Sequence, residues 1–302
     1  MSDIKGVRTT IIDPMEVLFR LWEKFKERPE SRKPRCPYVP DPAWETKLRL
    51  ALNQSPQSIG AEAEALWPRV NRRLTEHGIQ PGPHSYLKHN DGDPAFIRAV
   101  FLLARSLPAK TVIETGVAHG VTSRFVLEAL ELNQNEGHLW SIDLAPQKSP
   151  HVHKEIGLAV DGASGIAKRW TFIRGSSRRR LPPLLRGFGP LDLFIHDSLH
   201  TEYNMLFELR AIWPLLRPGG GIVVDDIDNN WAFDIFAKSV PEHLPLVCEA
   251  EPVRPDPLRV SRQQKGLFGI ILKNGILKNG VPIRQPELRQ AGLIVPPFAD
   301  TP

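Results

Sequence analysis

The sequence predicts an α/β fold built on a doubly wound, mostly parallel sheet with helices on both faces. Three observations carry that prediction. Short β-branched or apolar runs alternate with helix-length segments between residues 111 and 239. A glycine turn, Gly116 to Gly120, directly follows the first run. Polar and acidic residues then stand at the carboxyl ends of five successive runs. Strands that alternate with helices need helical crossovers, and such crossovers make the strands parallel.

The bulk properties fit such a domain. The 302 residues suffice for one large α/β domain with extensions, or for two small domains. The 41% hydrophobic and 24% charged fractions are those of a soluble globular protein. No apolar run reaches membrane-spanning length and the N-terminus lacks an apolar signal core, so a cytoplasmic protein with no membrane partner is expected. The net charge of +5 permits an acidic partner without requiring one. Arg178-Arg179-Arg180 has no interleaved aromatic residue on which bases could stack, so it reads as a solvated loop. The two cysteines, Cys36 and Cys248, make neither a disulfide framework nor a thiolate metal site.

Residues 1–85 read as a helical extension packed on the main domain. Asp13-Pro14 is a cap and first-turn pair. Met15, Leu18, Leu21, Trp22 and Phe25 then mark one helical face. That face is expected to pack inward, with a dimer surface or a substrate lid as the alternative. Glu27 to Pro42 reads as a linker, and 44–53 and 60–77 as helices. Asp93-Pro94 opens a further helix to Leu107.

The alternation begins at Thr111 to Ile113, a β-branched strand. Thr122 or Ser123 can cap the helix 121–133 that follows the glycine turn. Strand 138–143 ends at Asp143, and 151–168 reads as a helix. Strand 170–173 ends at Arg174-Gly175, and strand 191–195 at His196-Asp197. Helix 201–213 leads through Pro218-Gly219-Gly220 into strand 221–224, which ends at Asp225-Asp226. A short helix, 231–239, precedes strands 244–249 and 267–273, which have no clear helix between them and suit an antiparallel edge. The Ile271 to Gly275 segment is repeated as Ile276 to Gly280, where Asn-Gly reads as turn chemistry. The main domain is placed at 86–275 and a Pro-rich tail at 276–302.

In an open parallel sheet, ligands bind at the carboxyl ends of the strands. Those ends carry Glu114, Asp143, Gly175-Ser176-Ser177, His196-Asp197 with His200, and Asp225-Asp226. Glycine at 116 and 120 lets the chain turn sharply and admits a ligand close to the backbone. Position 118 is Ala, where a dinucleotide-binding turn would carry its middle glycine. That residue and the acid at 114 count against a nicotinamide-dependent oxidoreductase. His196 reads as a buried, hydrogen-bonded histidine.

The Glu-x-Gly-x-x-x-Gly pattern at 114–120 resembles the first motif of class I S-adenosylmethionine-dependent methyltransferases. The segments 195–203, 213–220 and 223–226 narrow the resemblance to small-molecule O-methyltransferases, including sugar- and macrolide-modifying members. The resemblance implies a Rossmann-like domain that uses S-adenosylmethionine. It implies that Glu114, Gly116, Gly120 and Ser123 line the methionine part of the cofactor. Asp143 would hold the ribose, and Gly175 and Ser176 would lie near the adenine. Asp197 would also border the cofactor. Asp197, Asp225 and Asp226 match the ligands of metal-dependent members, which implies Mg²⁺, and His200 with Asp197 matches the catalytic positions. The expected partner is a small hydroxylated substrate, with a homo-oligomer allowed for. An RNA-modifying methyltransferase or nucleic-acid-binding protein remains the alternative.

Overall fold

The computed structural model describes residues 14–30, 33–52, 58–79, 93–144, 156–160, 164–240, 243–251, 266–273, 277–278 and 281–282. Among the described residues, five helices precede the first strand: α1 Pro14–Glu27, α2 Trp44–Ala51, α3 Ser58–Glu64, α4 Trp67–Glu76 and α5 Pro94–Ser106. The alternating part runs β1 Thr111–Thr115, α6 Val121–Leu132, β2 His138–Asp143, α7 Ser164–Ala167, β3 Trp170–Arg174, α8 Ser177–Leu185, β4 Leu191–His196, α9 Glu202–Ile212 and β5 Leu216–Val224. Then come α10 Ala232–Ser239, β6 His243–Glu249, β7 Leu267–Lys273 and a small pair, β8 Leu277–Lys278 with β9 Val281–Pro282.

Local chemistry sets the start of α5. Asp93 Oδ1 accepts a hydrogen bond from Phe96 N at 2.9 Å, and Pro94 occupies the first turn, where no N–H partner is needed. The β1 core residues divide between two layers. Val112 packs with α5 and α6, whereas Ile113 packs with the layer that holds α8, α9 and α10. Alternate strand residues point to opposite faces, so a strand apolar on both must be covered on both.

The seven strands lie in the order β3-β2-β1-β4-β5-β7-β6. β1 to β5 pair in parallel, and β7 runs antiparallel to both β5 and β6. The expected parallel sheet with an antiparallel edge is present. β8 and β9 pair antiparallel; the Asn-Gly turns read from the repeat lie outside the described residues. Cys36 and Cys248 are free and buried in separate layers.

Four local expectations are corrected. Residues 156–160 form turns and only Ser164–Ala167 is helical, so 151–168 is no continuous helix; residues 151–155 and 161–163 lie outside the described residues. The segment 60–77 divides into α3 and α4. β5 begins at Leu216, and Pro218-Gly219-Gly220 bulges within it: Leu191 pairs with Leu216, yet Leu193 pairs with Gly221. The Arg178 to Arg180 run begins α8 instead of a solvated loop.

α1 corrects a further one. Its apolar face points outward, with Leu18 58%, Leu21 60% and Phe25 63% exposed, while Glu16 and Glu23 are buried. The reason is the surface beneath it, which is basic. Glu16 Oε1 pairs with Arg179 at 3.0 Å, and Glu23 Oε1 lies 3.3 Å from Arg178 Nε. The Arg178 guanidinium lies 4.0 Å from the Tyr203 ring centroid, 4.4 Å from Phe207 and 5.7 Å from Trp22. Charge matching and cation–π contact fix the orientation that hydrophobic periodicity alone would reverse.

Candidate active site

β1 and β4 are neighbours although β2 and β3 lie between them in sequence, so the strand order reverses beside β1. A crevice opens there, outside the carboxyl ends of the strands. Gly116 has φ 87°, and a Cβ on it would stand 1.8 Å from the Asp197 carbonyl oxygen. Only glycine fits where these two tips meet. The backbone N–H groups of Val117 and Ala118 donate to Asp143 Oδ2 at 2.9 and 3.0 Å. Ala118 itself is left-handed, at φ 48°. The turn thus takes a glycine-like conformation without the glycine.

Gly120 caps α6 in the left-handed region, with no side-chain cap. Ser123 therefore does different work from the cap expected of it. Ser123 Oγ and Ser141 Oγ each donate to Glu114 Oε2 at 2.6 Å, and Trp170 Nε1 donates to Ser141 Oγ at 2.9 Å. Glu114 is fully buried. Burial raises its carboxyl to about 8 against the pull of the two hydroxyls, with Asp197 and Asp143 adding repulsion.

A cavity of about 220 Å³ opens above this turn. Gly116, Val117 and Ala118 form one wall, Asp143 and Gly175 to Ser177 another, and Asp197 to Leu199 a third. α1 supplies Arg20 and Glu23. Burial raises the Asp143 carboxyl, opposed by the N–H groups of Ala118, Val117 and Leu144. Ser176 N donates to Glu16 Oε1 at 3.2 Å, and its buried Oγ has no hydrogen-bond partner among the described residues.

On the far side of Asp197 lies a cluster. Asp197, His200 and Asp225 each offer one ligand atom, all within 4.8 Å of one another. His200 Nε2 lies 3.5 Å from Asp197 Oδ1, and its Nδ1 lies 3.5 Å from Asp226 Oδ2. Burial lowers the His200 imidazole, but Asp197, Asp226 and Asp225 outweigh it and raise it to about 10. The Asp225 carboxyl is pushed well above its usual range by burial, then by Asp226 and Asp197.

Residues 113–227, from the first strand through the Asp225-Asp226 tip, match the family described as a methyltransferase domain. Over that span the chain is similar to methyltransferases. No curated protein matches the sequence. Among solved structures, an O-methyltransferase from Bacillus cereus shares 13% identity over 68% of this chain and 90% of its own, with a TM-score of 0.51. The O-methyltransferase TomG from Streptomyces achromogenes shares 15% identity over 86% of this chain and 96% of its own, with a TM-score of 0.50. Both likenesses establish the shared fold.

The expected site residues separate into two sets. Gly116, Asp143, Gly175, Ser176 and Asp197 line the cavity. Glu114 and Ser123 lie beneath it, bonded to each other, and Gly120 packs where a Cβ would stand 2.8 Å from Gly157 Cα. His200 joins Asp197 and Asp225 in the three-donor cluster, with Asp226 on the imidazole's other nitrogen. His196 is buried and bonds Glu208 Oε2 at 2.6 Å, as expected of it.

Other residues around the cavity escaped the sequence reading. Glu208 collects Thr115 Oγ1 at 2.6 Å, and Ser198 Oγ and Asn204 Nδ2 at 2.9 Å each, directly below the Asp197 loop. Its spacing of four from Asn204 on α9 was the available signal. Arg20 and Glu23 had none, because their helix turns its polar side inward.

Proposed function

We propose that the protein transfers the methyl group of S-adenosylmethionine to a hydroxyl of a small molecule, beside a divalent-cation site at Asp197, His200 and Asp225. One observation carries the reading: Asp197 lines the cavity over the glycine turn and also belongs to the three-donor cluster. A cofactor held in that cavity would meet an acceptor at that cluster. The Bacillus cereus structure is a complex with SAH and the Streptomyces achromogenes structure a complex with SAM, which supports the cofactor.

The roles follow from the free positions. Asp143 spends Oδ2 on the glycine turn, and its other oxygen takes the ribose hydroxyls. The unpartnered Ser176 Oγ takes the adenine edge. Gly116 and Gly175 let the cofactor lie against the backbone. Glu114, Ser123 and Gly120 hold the turn in shape from beneath.

The donor set fits a cation. His200 Nε2 has no hydrogen-bond partner among the described residues, and Asp225 carries a charge penalty that a cation would remove. Carboxylate-rich sets suit a hard ion such as Mg²⁺, and the imidazole broadens the choice towards Mn²⁺. A bound cation would lower the acceptor hydroxyl's pKa and orient it. His200 is a poor free base while three carboxylates hold its proton, so it serves better as a ligand that Asp226 orients through Nδ1.

Calorimetry with S-adenosylmethionine tests the cofactor half. Asp143→Ala costs about 2 kcal/mol of affinity through lost charge-assisted bonds. Undiminished affinity in that variant overturns the placement. Methyl transfer measured after chelation and metal add-back tests the other half. Activity falls with chelator and returns with Mg²⁺ or Mn²⁺, and His200→Ala lowers turnover by roughly 10²-fold or more without weakening cofactor binding. Full turnover in excess chelator removes the cation from the reading.

A further inference from the structure

A second cavity, of about 270 Å³, is lined by His200, whereas Asp197 lines the first. The Asp197–His200 contact thus stands between the two spaces. Three glutamates line the second space. Glu27 and Glu30 come from the end of α1 and the turn after it, and Glu202 from the first turn of α9, with Lys33 the one basic wall residue besides His200 among the described residues. Trp231 closes one side.

Two of these carboxylates are incompletely used. Glu30 is satisfied, since it accepts from the N–H groups of Glu202 and Tyr203 at 2.8 Å each. Glu202 is 8% exposed; its Oε1 takes Lys33 Nζ at 2.5 Å, while its Oε2 has no partner among the described residues. Glu27 Oε1 is likewise shut off from solvent and unpartnered. A buried carboxylate oxygen left without a donor costs free energy unless something supplies one. Glu27 and Glu202, from two separate elements, both line the cavity that also reaches His200.

We propose that this cavity is the acceptor pocket, and that it selects a cationic hydroxylated compound, an amino alcohol or amino sugar whose ammonium binds Glu27 and Glu202. The ammonium supplies up to three donors to oxygens that lack them. The Trp231 ring offers an apolar wall for the carbon skeleton and favours a cation. The acceptor hydroxyl is then directed at His200 and the Asp197–Asp225 cluster. This rests on the methyl-transfer reading of the neighbouring site.

The test uses glucosamine and glucose, which differ at one substituent. Each is titrated into the protein saturated with S-adenosylhomocysteine, following the indole N–H resonance of Trp231, assigned by its loss in Trp231→Phe. Glucosamine moves the resonance at a concentration about tenfold lower than glucose, and Glu27→Gln and Glu202→Gln each close that gap. Equal midpoints for the two sugars, a resonance that ignores both, or a gap that survives both substitutions overturns the proposal. Failure of the wild-type protein to bind S-adenosylhomocysteine, read separately by calorimetry, overturns instead the methyl-transfer reading beneath it.

Discussion

Glu114 sits fully buried under the glycine turn, with Ser123 and Ser141 as its hydrogen-bond donors. Its carboxyl is raised from 4.5 to about 8, chiefly by burial. Between those values the unfolded chain has released a proton that the folded chain keeps. Stability therefore falls as pH rises through that window. Glu114→Gln keeps an acceptor for both hydroxyls and carries no charge. The variant's melting temperature relative to wild type climbs from pH 5 to pH 8, and parallel pH curves refute the assignment. Glu208 has the opposite sign. Burial raises it, but the His196 charge and hydrogen bonds from His196, Ser177 and Thr115 lower it to about 2. Its contribution is present above about 4.5 and is lost as pH falls towards 2, so Glu208→Gln destabilises at neutral pH and progressively less in acid. Melting curves across that range check the sign. At this scale the sequence showed which residues stand at strand tips. It did not show which way each points. Glu114 and Asp143 both end strands, yet one faces the serines beneath and the other the cavity.

α1 shows what periodicity leaves out. Its apolar spacing located the helix and its start at Pro14, but the same spacing pointed the wrong face inward. The deciding contact is made with α8 and α9, far away in sequence. Arg178 lies under Trp22 with Glu23 beside it. Burial raises the Glu23 carboxyl, and Arg178 is the main influence that opposes it. Arg178→Ala leaves that carboxyl buried without its partner, a change worth about 3 kcal/mol in comparable pairs. Hydrogen exchange of residues 14–27 rises several-fold in the variant, and S-adenosylmethionine affinity falls because Arg20 and Glu23 line the cavity. Unaltered exchange in α1 would show that the helix is held by something else. α8 was obscured in sequence for a related reason: a run of three arginines followed by Pro182-Pro183 reads as loop until its aromatic partners are known.

Across the whole molecule, the sheet's parallel body and antiparallel edge were legible from strand–helix alternation, since crossovers leave few other arrangements. The strand order was not, because neighbours such as β1 and β4 are chosen by packing rather than by sequence adjacency. The role of the N-terminal helices was legible only in outline. Trp44, Leu48, Val70 and Leu74 belong to the same buried cluster as α5, α6 and the sheet. Trp44 and Phe96 both meet Phe268 of β7 edge-on, at 5.2 and 5.7 Å. A fragment of residues 1–85 therefore lacks most of the surface its apolar residues cover. Its circular dichroism shows no cooperative thermal transition, whereas a sharp one would establish an independent domain.

The two buried thiols give the protein a built-in clock. Burial pushes Cys36 up to about 11 and Cys248 well above its usual value. Alkylating reagents attack the thiolate, so neither sulfur reacts until its surroundings open. Cys36 sits beside Tyr38, whose hydroxyl accepts from Asp234 N at 3.0 Å in α10, while Cys248 lies within the edge strand β6. One labelling time course thus times two separate breathing motions, the peeling of the N-terminal segment and the fraying of the sheet's antiparallel edge.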